Sequence, residues 1–119
     1  MASPAARPLK LSERQRIQWL RLIRTENVGP ATFRDLINRY GSAEAALAIL
    51  PELAMQGGRK TLPRIPSEQE AQAELALARD CGAEIIAIGE AAYPPMLRTM
   101  PQPPPLIAMK GTPEVFALP

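Results

Sequence analysis

Apolar residues recur along the first half of the chain at helical spacing. Ser12-Glu-Arg-Gln15 has the form of a capping box, with Ser12 as the cap and Gln15 reaching back. The helix it opens is expected to run from Glu13 to Thr25. Ile17, Trp19, Leu20, Leu22 and Ile23 cover a broad face, so this helix should be largely buried. Arg14, Gln18 and Arg21 fall on the opposite side. Asn27-Val-Gly29-Pro30 is a turn, with Pro30 suited to a helix start. From Ala31 to Tyr40, Phe33, Leu36, Ile37 and Tyr40 form an i, i+3, i+4, i+7 stripe. Gly41 can stop that helix in the left-handed conformation. Ser42 then caps a third helix, Ala43 to Leu50, and Pro51 opens a short piece around Leu53 and Met55. Trp19, Leu20, Ile23, Phe33, Leu36, Ile37, Tyr40 and Leu47 are expected in one core.

The pattern breaks at Gln56 to Pro66, which holds two glycines, two prolines and the cations Arg59, Lys60 and Arg64. A second capping box, Ser67-Glu-Gln-Glu70, opens a helix reaching Arg79 or Cys81, with Gly82 as the stop. Ala71, Leu75 and Ala78 make its buried line. Glu84 to Ile88 reads as a strand, Pro94 to Met100 as one or two helical turns, and Leu106 to Met109 as a second strand. Helix, strand, helix, strand is the order of a parallel α/β layer. Two strands do not bury a sheet, so this half reads as incomplete. The expected organisation is a loose tail at 1–10, a helical domain at 11–55, a linker at 56–66 and the α/β segment at 67–119.

Composition removes several functions. The chain has 119 residues, no histidine and one cysteine, Cys81. No Ser-His or Cys-His pair, no intrachain disulfide and no Cys-based metal cluster can form. Gly57-Gly58 is a flexible pair and no phosphate-binding loop is present. The chain is therefore expected to be no enzyme, with no catalytic residue, metal or cofactor. No apolar run approaches the roughly 20 residues of a membrane span. With no signal-like N-terminus, cytoplasm is the expected compartment. Cys81, Trp19 and the Tyr93-Pro-Pro ring are all read as packing groups.

Charge is uneven. Met1 to Gly41 carries eight Arg/Lys against three acids, and Ser42 to Pro119 six against nine. A basic first third can attract phosphates or acidic protein surfaces. Val28-Gly-Pro-Ala-Thr-Phe33 resembles the hairpin of a helix-hairpin-helix motif, which sets backbone N–H groups and a helix start against a DNA phosphate. Arg24, Gly29, Thr32 and Arg34 are the candidate nucleic-acid-binding residues.

Tyr93-Pro-Pro-Met-Leu-Arg98 and Pro103-Pro-Pro-Leu-Ile-Ala-Met-Lys-Gly111 resemble the DNA-processing protein A (DprA, or Smf) family. Asn27-Val-Gly-Pro-Ala-Thr-Phe33 and Tyr40-Gly-Ser42 fit the same family, and the resemblance covers about Leu11 to Lys110. It implies a mainly α chain: an N-terminal bundle similar to a sterile alpha motif, with the hairpin-like turn, then the leading edge of a Rossmann-like domain. It implies a protein that binds single-stranded DNA and helps load RecA during natural transformation, with a homodimer conceivable for the full-length protein. The family's main DNA pocket and RecA surface lie in the Rossmann-like domain, so none of those residues is carried over, and the chain is expected to be the N-terminal part only. The alternative is a stand-alone sterile-alpha-like protein-interaction module that binds no DNA.

Overall fold

The computed structural model describes residues 10–58 and 62–110. Three helices come first: α1 (Glu13–Ile23), α2 (Pro30–Tyr40) and α3 (Ala43–Gln56). Then follow α4 (Glu68–Asp80), β1 (Ala83–Ala87), α5 (Pro95–Arg98) and β2 (Leu106–Lys110). The protein is mainly helical with a small two-stranded sheet. Arg59, Lys60 and Gly111, together with residues 1–9 of the tail, lie outside the described residues.

Local chemistry sets the helix starts. Ser12 and Gln15 form a full capping box on α1, and Ser67 and Glu70 form another on α4. Ser42 caps α3 by accepting from the Ala45 N–H. Each such cap contributes about 1 kcal/mol. Gly41 ends α2 at φ 89°, where a side chain would be strained.

Pro51 corrects one expectation, because α3 runs through it to Gln56. A proline inside a helix forfeits one backbone bond. Leu50 and Leu53 pack against the first core, and their burial holds the last turns in place.

That first core joins α1, α2 and α3 through Leu22, Phe33, Leu36, Ala43, Ala46 and Leu47. Trp19, Ile23, Ile37 and Tyr40 pack against it partly buried. Leu20 does not join it. With Ile17 it points the other way, onto Ala71 and Leu75 of α4 and Ile85 of β1. Gln18 is likewise not on a solvent face. It is 3% exposed, donates to Glu68 Oε1 at 3.2 Å and accepts from Arg21 at 2.8 Å. Both corrections have one cause: α1 is packed on two sides, so a helix with one wet face is the wrong template.

The strands also depart from expectation. They pair antiparallel, from Ala83 opposite Lys110 to Ala87 opposite Leu106. A parallel pair needs a crossover that carries the chain back along the strand, usually a full helix. Here the chain turns immediately, with Glu90 N donating to the Ala87 carbonyl and Tyr93 N to the Glu90 carbonyl. The four-residue α5 is too short to serve as that crossover. Tyr93 is 1% exposed and donates its hydroxyl to the Pro104 carbonyl at 2.7 Å, so it fills the small core beneath the sheet with Ile86 and Met109. Cys81 is exposed at the C-terminal cap of α4, where the expectation had it buried. The helix ends there, and its buried stripe ends earlier at Leu75, with Ala78 only partly covered.

Candidate nucleic-acid interface

The turn between α1 and α2 is held from within. Thr25 is 3% exposed and its hydroxyl donates to the Arg21 carbonyl at 2.7 Å. Asn27 takes a left-handed conformation at φ 69°, which asparagine tolerates better than most residues. Val28 N donates to the Thr25 carbonyl, and its side chain packs on the first core. Gly29 then lies extended, with Pro30 as the first helical residue of α2 and Phe33 N donating to the Gly29 carbonyl at 2.8 Å. No side chain caps the first turn of α2. A methyl group on Gly29 would meet nothing within 4 Å. The glycine therefore leaves the helix start uncovered. Unpaired amides at such a start carry partial positive charge.

The four candidate residues do not all converge. Gly29 and Thr32 are exposed in the first turn of α2, and Arg34 is exposed just beyond it. Arg24 turns away to α4, where it donates to Glu74 through Nε and Nη2, the closest contact being 2.9 Å. That hydrogen bond raises the Arg24 pKa further above its ordinary value.

Most other arginines are engaged in the same way. Arg14 pairs with Glu44, Arg64 with Glu70 and Arg79 with Glu13. Arg21 donates to the Pro66 carbonyl at 2.8 Å. On α2, by contrast, Arg34 and Arg39 make no ion pair among the described residues. Among the described arginines of the basic first third, the two on α2 are therefore the ones left without a carboxylate partner. Arg34 also stands at the edge of an apolar groove of about 130 Å³. The groove runs between Trp19 and Phe33 on one side and Ile88, Pro103 and Pro105 on the other.

Against known families, residues 13–76 match the DprA-like N-terminal HHH domain. The chain belongs to the DprA-like family. The matched stretch spans α1, α2 and α3 and runs into α4, so it takes in the hairpin and the helices on both sides of α1. A comparison with curated proteins finds no match. Among the described residues of this DprA-like chain, no group of three or more Cys, Asp and Glu could hold a metal ion. No helix among them is long and apolar enough to cross a membrane.

Sequence reasoning missed the strongest polar feature of the DprA-like fold. Arg16 on α1 meets Glu90, which follows β1, through two bonds of 2.7 Å each. Their side chains are only 12% and 10% exposed. Glu90 also accepts from Ala87 N at 2.7 Å and Leu11 N at 3.1 Å. Arg16 also donates to the carbonyls of Ile85 at 2.9 Å and Leu11 at 3.2 Å. Burial alone pushes the Glu90 carboxyl up, but the bonds from Arg16, Ala87 and Leu11 outweigh it and hold the pKa below its ordinary value. The partners are 74 residues apart in sequence, and no local motif announces them. A cleft of about 460 Å³ lies beside them, lined by cations and carboxylates alike. That mixture favours neither sign of ligand, and the pair itself is fully engaged in holding α1 to the sheet.

Proposed function

We propose that this region is the non-catalytic N-terminal accessory part of a DprA-like DNA-processing protein. In this reading the whole protein binds single-stranded DNA and helps load RecA during natural transformation and recombination, in the cytoplasm. The match over residues 13–76 carries the reading. The uncovered start of α2, with exposed Thr32 and with Arg34 and Arg39 unpaired among the described residues, supports a phosphate contact within this region. Arg24 is a poorer donor to DNA than its position in the sequence suggests, since Glu74 already occupies it. The phosphate contact is thus small and by itself carries no sequence information, because arginines on a helix face meet phosphates before base edges. The principal DNA pocket and the RecA surface belong, as the family resemblance implies, to a Rossmann-like domain that β1 and β2 would lead into.

Fluorescence anisotropy of a labelled oligo(dT) tests the contact. Binding should be weak at low salt, with a log–log salt slope of about −1 to −2 for two phosphates on a single strand. Arg34→Ala should weaken it severalfold and Arg24→Ala much less. Equal losses from both would remove the α2 site. No binding at low salt would favour the protein-interaction module instead. For the RecA reading, the full-length protein carrying Arg34→Ala and Arg39→Ala, both exposed on α2, should assemble RecA on single strands less well than the unaltered protein. Unchanged assembly would reject a role for the α2 site.

A further inference from the structure

We propose that the groove between α2 and the proline-rich loop before β2 holds one pyrimidine base of a single strand, with the adjoining phosphate on Arg34. The proposal rests on the single-strand reading above and names the part of the nucleotide that this region would recognise.

The groove has the right walls. Trp19 meets Phe33 edge to face, with ring centroids 5.0 Å apart and planes at 65°. Phe33 is fixed in the core at 3% exposure, while Trp19 is only partly covered and keeps surface open to the groove. Flat apolar walls and an aromatic ring are what a base stacks on, whatever its identity. At about 130 Å³ the space is well below the roughly 300–1,000 Å³ of a site for a drug-sized molecule. A cavity of about 150 Å³ admits a benzene ring. The groove is slightly smaller and open to solvent on one side, so it covers part of one six-membered ring and a smaller share of a two-ring purine.

Polar groups border the same space. Asn38 and Gln102 line the groove, and each side-chain amide offers both a donor and an acceptor. A pyrimidine edge presents the complementary mixture. Among the described residues, Arg34 is the one charged residue in the lining and no carboxylate lines the groove. Arg34 makes no ion pair among the described residues, so its guanidinium is available to a phosphodiester. The same helix thus supplies an apolar wall through Phe33 and, around its exposed side, the cation Arg34 and the amide Asn38, one turn apart. An acidic peptide with an apolar side chain shares part of this chemistry, and the test below separates it from a base.

The test uses the chain's only tryptophan as its reporter. Trp19 fluorescence and probe anisotropy are followed together as the chain is titrated at low salt with oligo(dT), oligo(dA) and an abasic strand of equal length. Oligo(dT) should quench Trp19, and the abasic strand should not. Losing the stacked base should weaken binding roughly 5- to 150-fold. The exposed-residue variants Asn38→Ala and Gln102→Ala should narrow the preference for dT over dA without changing the binding of the abasic strand. Anisotropy that rises equally for all three strands, with no quenching, would overturn the base pocket and leave DNA binding in place. No anisotropy change with any strand would reject the DNA reading for this region, and the pocket with it. Quenching by an acidic peptide and not by oligo(dT) would overturn the proposal and assign the groove to a protein partner.

Discussion

Replacing Glu90 by alanine should be the most damaging single polar change in this fold. The carboxylate accepts four hydrogen bonds, two from Arg16 and one each from the Ala87 and Leu11 amides. Its removal leaves the Arg16 guanidinium, 12% exposed, without its counter-charge. It also leaves two backbone N–H groups without an acceptor. Breaking a buried pair from one side costs about 3–5 kcal/mol, mostly because the remaining charge stays buried. A domain of this size has a total stability of only about 5–15 kcal/mol. Glu90→Ala should therefore shift a urea transition, followed by Trp19 fluorescence, to much lower denaturant. Glu90→Gln keeps the shape and one acceptor oxygen and should lose less. The pH dependence supplies an independent check. Glu90 has a lowered pKa in the folded state, so the unfolded chain takes up its proton first as pH falls. Its contribution is complete above the ordinary value of 4.5 and is lost as pH falls from there through the folded-state pKa. Glu13 shifts the same way through its bond from Arg79, but it is exposed and contributes little. Glu90→Gln should flatten the acid limb of the stability profile below 4.5. A loss under about 1 kcal/mol for Glu90→Ala at neutral pH, or an acid limb unchanged in Glu90→Gln, would refute the reasoning.

Other expectations follow from the cores and caps. Leu36→Ala empties a buried site among Phe33, Ala46 and Leu47 and should cost about 2–5 kcal/mol by urea melting; a silent change would mean that the α2 register is wrong. Gly41→Ala meets no atom within 4 Å but must hold φ 89°, so the loss should be pure backbone strain of about 1–2 kcal/mol. Arg14→Ala removes an ion pair whose side chains are 64% and 61% exposed, and should change stability by less than about 1 kcal/mol. Incubation with DNA and divalent metal should give no cleavage. A nuclease activity abolished by changing one named carboxylate would contradict the non-catalytic reading.

The helices were legible in the sequence because their signals are local. Ser12-Glu-Arg-Gln15, Pro30, Gly41, Ser42 and Ser67-Glu-Gln-Glu70 act within a few residues of where they stand, and all five features take the predicted roles. The same is true of the Gly29-Pro30 turn. What could not be read depends on contacts across the chain. Nothing in an apolar strand states its direction relative to a partner, so the antiparallel pairing of β1 with β2 had no visible sign. Leu20 looks like part of the first core and Gln18 like a surface residue until α4 is known to pack on that side. The candidate site was half legible for a related reason. A positive charge is obvious in sequence, but its availability depends on whether a carboxylate folds against it, as Glu74 does with Arg24 and none among the described residues does with Arg34.

Because α1 is the wall between two apolar clusters, it cannot be assigned to either half of the molecule. Ile17 and Leu20 serve the α4–β1 side while Leu22 serves the α2–α3 side. A cut between Gly58 and Leu62 would therefore not yield two independent pieces. The first fragment would carry a helix with one stripe stripped bare, and the second would lose the surface on which Ala71 and Leu75 rest. The nicked halves should stay together without a covalent link and separate only on unfolding. For expression or grafting onto another protein, the smallest useful piece is the whole stretch 10–110.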